Sequence, residues 1–298
     1  MDKNFKSGFI GIIGRPNVGK STLLNTILGK KIAIMSSKPQ TTRNQITGVH
    51  TTEDYQMVFL DTPGIHKPKN ALGEYMVNTA LNTLYNVDFI LYVVSCDMPM
   101  GTGEAYVISQ LEKATCPVIL LINKSDLLPK EELLPIIDAY QKAFPFKAII
   151  PISALKSENI DSLMEIMENL LPDGPMYYPE ETITNQPEKQ IVSEIVREKI
   201  LFHTEEEVPH SVAVVTDYIE EDGNLVNVYG SIYVERKSQK GILIGKGGKM
   251  LQKIGKQSRV ELEKMWGMKV YLDLRVKVKE QWRRKDIHLR NFGYEERT

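Results

Sequence analysis

The sequence predicts an α/β domain with a mostly parallel sheet and helices on both faces, followed by a smaller α+β domain. Three observations carry this reading. Near-continuous apolar runs alternate with helical spacing up to about residue 171, the pattern of strands buried on both sides. A proline-rich stretch then breaks the rhythm. Beyond it the order becomes helix, strand, strand, helix, helix, strand.

The elements follow in chain order. Phe9–Gly14, "FIGIIG", is a short apolar run ending in glycine and reads as a buried strand. Lys20–Gly29 has helical spacing and stops at glycine. Tyr55–Asp61, Asp88–Ser95, Cys116–Asn123 and Ala148–Ser153 read as further strands, and a helix runs from about Glu158 to Leu171. Leu171–Lys189 carries four prolines and a glycine and reads as the connection. We expect domains at 1–172 and 188–298, with a linker at 173–187. In the second part, Glu188–Thr204 reads as a helix. His210–Glu220 and Leu225–Glu235 read as strands around the turn "EDGN". A helix then ends near Met265, and a strand spans Lys269–Val278.

Composition narrows the class. Hydrophobic residues are 42% and charged residues 25%, ordinary for a globular chain. No apolar run reaches the roughly 18 residues that span a bilayer. The N-terminus lacks a long apolar stretch with a cleavage site, and two cysteines make no disulfide framework. The five histidines show no metal-site spacing. The expectation is a cytoplasmic protein. Its charge is lopsided: residues 231–298 hold 18 Lys and Arg against 8 Asp and Glu, and the preceding residues hold 19 against 30. A basic final quarter on an acidic body points to a polyanionic partner.

"GRPNVGKS" spans Gly14, Arg15, Pro16, Asn17, Val18, Gly19, Lys20 and Ser21, with Thr22 following. It fits G-x-x-x-x-G-K-S/T in full, after a strand and before a helix. Its backbone N–H groups would wrap phosphates, helped by the helix N-terminus. Lys20 would neutralise β- and γ-phosphate oxygens, and the Ser21 hydroxyl would ligate Mg²⁺. Three stretches join it, each at a strand's C-terminal end, where open α/β sheets bind ligands. In "DTPG", Asp61, Thr62, Pro63 and Gly64, the carboxylate can reach the Mg²⁺ shell and the Gly64 N–H can meet the γ-phosphate. In "NKSD", Asn123, Lys124 and Asp126 suit a purine base. The Asp126 carboxylate can accept from both N1–H and N2–H of guanine, a pair that adenine does not offer, and so selects GTP. The Lys124 stem would cover the base. In "SAL", Ser153, Ala154 and Leu155, the Ala154 N–H would meet guanine O6.

Residues 8–171 therefore resemble a small GTPase domain. "PQTTRN", Pro39–Asn44, resembles its first switch, with Thr42 as the implied second hydroxyl on Mg²⁺. Lys20 and Gly64 are the implied catalytic groups. Ile65 follows "DTPG" where many such GTPases carry glutamine, which matches the branch with a hydrophobic replacement. In several members of that branch an asparagine matching Asn17 ligates K⁺ beside the phosphates. A loop-stabilising role for Asn17 is the alternative, and both stay open.

A second loop, "GILIGKGGK", spans Gly241–Lys249. Its spacing is one short of the first motif, glycine follows Lys246 where Ser or Thr is needed, and it lies between two helices. It does fit G-x-x-G, with Gly245, Lys246, Gly247 and Gly248, and Lys249 adds charge. This resembles the loop of a KH domain, which clamps a single-stranded backbone. The element order resembles the type II form.

A GTPase domain followed by a type II KH domain resembles the Era family over nearly the whole chain. The tail Lys277–Tyr294 looks like that family's C-terminal helix, with Arg283, Arg284 and Lys285 as implied RNA contacts. Trp282 could serve there or in packing. The resemblance implies Mg²⁺-dependent GTP hydrolysis and binding of single-stranded RNA, not DNA, near the 3′ end of 16S rRNA during small-subunit maturation. It also implies peripheral membrane contact. Two other readings stand beside it: a signalling switch with a protein or membrane partner, and a GTPase acting on another RNA.

Overall fold

The computed structural model describes residues 5–36, 38 and 40–294. In chain order the elements are β1 (Lys6–Ile13), α1 (Lys20–Leu28), β2 (Ile46–Thr51), β3 (Tyr55–Asp61), α2 (Ala71–Asn82), β4 (Phe89–Ser95), α3 (Thr102–Leu111), β5 (Val118–Asn123), α4 (Lys130–Ala143), β6 (Ala148–Pro151) and α5 (Ile160–Leu170). Then come α6 (Glu188–His203), α7 (Val208–Ser211), β7 (Ala213–Asp222), β8 (Leu225–Val234), α8 (Lys237–Ile244), α9 (Lys249–Trp266), β9 (Lys269–Val278) and α10 (Asp286–Asn291). Two compact units result. The first takes the chain to Ala33, Thr42–Pro68 and Met76–Asn185; the second takes Ile34–Thr41, Lys69–Tyr75 and the chain from Gln186.

In the first unit six strands lie in the order β2-β3-β1-β4-β5-β6. All neighbours are parallel except β2 with β3. Alternation explains the apolar runs. On β4, Phe89, Leu91 and Val93 enter one core, while Ile90, Tyr92 and Val94 enter the other. A strand buried on both faces has no polar positions to alternate with. The sequence reading lacks β2, whose "ITGVHT" holds a glycine and three polar side chains.

The proline-rich connection is an ordered strap on the first unit. The Ser7 N–H donates to the Pro172 carbonyl at 3.0 Å, and the Val49 N–H donates to Ile183 at 2.8 Å. The Gln56 side chain accepts from the Tyr177 N–H at 2.8 Å and donates to the Tyr178 carbonyl at 2.8 Å. Prolines remove donors from this segment, so its remaining polar groups bond outward to the sheet.

The second unit has a three-stranded sheet, β7-β8-β9, antiparallel then parallel. Val226, Val228, Ile232 and Val234 point inward, where Val192, Val196, Leu243, Ile254 and Leu262 complete the cores. Two expectations are corrected here. The strand expected from His210 begins at Ala213, because Val208–Ser211 makes one helical turn with Pro209 near its start. The tail expected as one helix over Lys277–Tyr294 is strand to Val278, a 3-10 turn at Trp282–Arg284 and a six-residue helix. Trp282 is its anchor. The indole is fully buried and donates to the Ser211 carbonyl at 2.8 Å, which excludes the alternative of an exposed RNA contact.

Candidate nucleotide and RNA sites

The first loop connects β1 to α1. Gly19 stands at φ 99°, and a Cβ there would lie 2.2 Å from Asn123 Nδ2, so only glycine fits. Asn17, at φ 65°, also lies in the left-handed region that asparagine tolerates better than most residues. The Lys20 ammonium is buried and donates to the Arg15 and Gly14 carbonyls at 2.9 and 3.2 Å. Burial lowers its pKa to about 8, opposed by the Asp61 and Glu104 carboxylates.

Ser21, Thr42 and Asp61 come together. Ser21 Oγ donates to Asp61 Oδ2 at 2.6 Å and lies 2.8 Å from Thr42 Oγ1. Burial raises the Asp61 carboxyl to about 6, opposed by Lys20 and by hydrogen bonds from Ser21 and Thr62. Its second oxygen, Oδ1, is buried without a hydrogen-bond partner among the described residues. Two hydroxyls and a desolvated carboxylate with a spare oxygen fit a hard divalent cation. These residues would hold Mg²⁺, which would supply positive charge at the β- and γ-phosphates. Pro39, the first residue of the expected switch stretch, lies outside the described residues.

Gly64 and Ile65 follow β3. The Ile65 N–H donates to the Gly14 carbonyl at 3.0 Å, and the Thr62 hydroxyl donates to the Ile12 carbonyl at 2.8 Å. These bonds fix the "DTPG" turn against the first loop. Ile65 itself is 1% exposed and belongs to the core with Ile13 and Ala80.

The base-side stretches converge through Asn123. Its Nδ2 donates to the Val18 carbonyl at 2.7 Å, and its Oδ1 accepts from the Ala154 N–H at 2.9 Å. One buried side chain thus links the first loop, "NKSD" and "SAL". Ser153 and Ala154 are buried, whereas Leu155 is exposed. Asp126 is exposed in the short turn Ser125–Leu127. Lys124 stands at φ 61°, its Nζ 3.3 Å from Asp97.

Sequence reasoning missed Glu104 on α3. This carboxylate is buried, lies 3.3 Å from Arg15 Nη1 and accepts from the Tyr92 hydroxyl at 2.9 Å. No local motif points to it, since 89 residues separate it from Arg15.

The second loop joins α8 to α9. Gly245, Gly247 and Gly248 stand at φ 71°, 61° and 78°, three left-handed positions in four residues. That backbone brings the chain to the N-terminus of the 18-residue helix α9, where free N–H groups favour an anion. Lys246, Gly247 and Lys249 are exposed, and so is Ile242 on the preceding turn. Arg284 and Lys285 are exposed as well. Arg283 is engaged: its guanidinium pairs with Glu235, Nε donating at 3.1 Å.

Known proteins match both halves. A model described as 50S ribosome-binding GTPase matches residues 9–124, and one described as KH domain matches residues 207–283. GTPase Era of Alkaliphilus oremlandii is 54% identical over 293 residues, 98% of this chain and 99% of the relative. GTPase Era of Ruminiclostridium cellulolyticum is 52% identical over 292 residues, 98% of each. A crystal structure of an Aquifex aeolicus Era variant bound to GDP·AlF4⁻ matches with TM-score 0.95 at 42% identity, covering 98% of this chain and all of that one. Era in complex with MgGDPNP and nucleotides 1506–1542 of 16S ribosomal RNA matches with TM-score 0.96 at 42% identity, with the same coverage. Among the described residues no helix is long and apolar enough to cross a membrane.

Proposed function

Because the chain belongs to the Era family of GTPases, we propose that it hydrolyses GTP at its first loop and binds the 3′ end of 16S rRNA at its second, during small-subunit maturation. The observation that carries this is the pairing of two different phosphate-binding loops in one chain. One leads to a cation-ready triad, Ser21, Thr42 and Asp61, and the other lies between helices with three left-handed glycines. The Era complex with Mg²⁺, GDPNP and 16S nucleotides supports assigning the loops in this order.

The roles divide as follows. Lys20 and the backbone from Gly14 to Thr22 hold the phosphates, and the Gly64 N–H meets the γ-phosphate. Asp126 reads guanine and Lys124 covers it, while the Ala154 N–H expected at O6 is donated to Asn123 Oδ1 and ties "SAL" to the base-side loop instead. The charge that develops in phosphoryl transfer is met by preorganised donors, so catalysis needs no side-chain base at position 65. K⁺ beside Asn17 would add to that charge. Lys246, Lys249, Arg284 and Lys285 meet the RNA backbone. The functional division is 1–172 for GTP and 188–298 for RNA, with 173–187 between them. We place the protein in the cytoplasm, with peripheral contact at the membrane's inner face.

The test is binding of a single-stranded RNA carrying the 16S 3′ end, compared with a scrambled RNA of equal length, at several salt concentrations. Preference for the native sequence supports the assignment. Equal binding of both RNAs would move the protein to another RNA target.

A further inference from the structure

The sheet of the second unit has an outer face that the RNA loop does not use. On β7, β8 and β9 the residues opposite one another are Tyr218, Tyr229 and Asp273 in one row and Glu220, Asn227 and Tyr271 in the next. Tyr218 stacks on Tyr229 with ring centroids 4.4 Å apart, and Tyr271 meets Tyr229 edge-on at 6.1 Å. Tyr218 and Tyr271 are 49% and 51% exposed. Farther along the same face Tyr233 is covered, because Phe292 stacks on it at 4.4 Å. The open end is therefore a cluster of three aromatic rings, one on each strand, over two adjacent rows.

Charge decides what fits it. Asp217, which accepts from the Ser231 hydroxyl, Glu220 and Asp222 on β7 and Asp273 on β9 belong to this face, against Lys269, Arg275 and Lys277. Arg275 leans on Asp273 at 3.2 Å and is itself largely exposed. The face has a small acidic excess, and Lys277 lies toward the covered Tyr233, away from the open end. Burial, then the neighbouring tyrosines and the Glu220 and Asp273 carboxylates, raise the Tyr229 hydroxyl's pKa. At the open end Glu220, Asp222 and Asp273 stand against Lys269 and an Arg275 already paired with Asp273, so phosphodiesters gain little there. Guanidinium groups suit it twice over, by stacking on tyrosine faces and by pairing with flanking carboxylates.

We propose that this face, Tyr218, Tyr229 and Tyr271 with Glu220 and Asp273, is a docking surface for an arginine-rich polypeptide segment of a partner protein. It lies on the side of the sheet opposite the helices that carry the second loop. A protein could thus be held while RNA occupies that loop. Arginine rather than lysine is the expected choice, because a planar guanidinium stacks and forks where an ammonium does only one.

The experiment uses the full chain and labelled synthetic peptides of alternating arginine and glycine, with a lysine–glycine peptide of equal length as control. The arginine peptide should bind several-fold tighter than the lysine peptide. Tyr218→Ala with Tyr271→Ala should weaken it by about five- to tenfold, two exposed stacking contacts' worth. Glu220→Gln with Asp273→Asn should weaken it similarly and, lying at the surface, leaves the fold intact. Circular dichroism checks both variants. GTP turnover and single-stranded RNA binding should stay at wild-type levels in each. Peptide affinity that neither double variant changes, or equal affinity for the lysine peptide, overturns the proposal. Loss of RNA binding in the tyrosine variant would make this a base-stacking face and overturns it too.

Discussion

Arg15 in the first loop is paired with Glu104 on α3, Nη1 to Oε1 at 3.3 Å, and the carboxylate is 1% exposed. The Tyr92 hydroxyl holds the other oxygen. The loop's shape thus depends on a buried anion outside any nucleotide motif. Glu104→Ala leaves the Tyr92 hydroxyl buried without its acceptor and Arg15 without its partner. We expect a loss of about 2 kcal/mol, moderated because Arg15 is a third exposed. Glu104→Gln keeps an acceptor for Tyr92 and should cost less. Urea denaturation measures both. The KM for GTP should rise more than kcat falls, because the phosphate cradle loosens while Lys20 remains.

Guanine selection should rest on Asp126. It is exposed, so Asp126→Asn should not disturb folding. The amide replaces a double acceptor with a donor and an acceptor, which complements xanthine. GTP should weaken and XTP should gain, with competition between the two nucleotides as the measurement. Unchanged GTP affinity would remove Asp126 from the base site.

The two readings of Asn17 separate by one substitution. Its φ of 65° means that alanine would strain the loop, whereas glycine would keep the backbone. GTPase rates in KCl and NaCl should differ in the wild type, and Asn17→Gly should abolish the difference if the amide oxygen is a K⁺ ligand. K⁺ stimulation that survives in Asn17→Gly assigns the residue to backbone geometry alone.

The parts legible in the sequence are contiguous ones. The first loop, "DTPG", "NKSD", "SAL" and the G-x-x-G loop each need a few adjacent residues with fixed backbone demands, so each can be read as a string. What escaped depends on distant partners. β2 is stable because it pairs with β3 through six residues, not because "ITGVHT" favours a strand. Glu104 matters through Arg15, and Trp282 is buried through Ser211, 71 residues away. Ile65 shows the same limit. From sequence it is only the residue after "DTPG", standing where many such GTPases carry glutamine. In the structure it is a core side chain, so Ile65→Ala costs about 2–4 kcal/mol of stability.

The G-x-x-G loop offers the sharpest separation of the two activities. Lys246→Asp with Gly247→Asp sets two carboxylates where a phosphodiester backbone would pass. Lys246 is exposed, and a Cβ at Gly247 would meet no atom within 4 Å. The strain of a side chain at φ 61° is modest for aspartate, which visits this region more readily than most residues. The variant should therefore fold, with circular dichroism matching the wild type. Single-stranded RNA binding should fall below detection, while GTP affinity and basal hydrolysis stay near wild type, because both substitutions lie outside the first unit. Wild-type RNA binding should itself weaken steeply as salt is raised, since bound cations displace counterions from the phosphates. A variant that keeps RNA but loses GTP would reverse the assignment of the two loops.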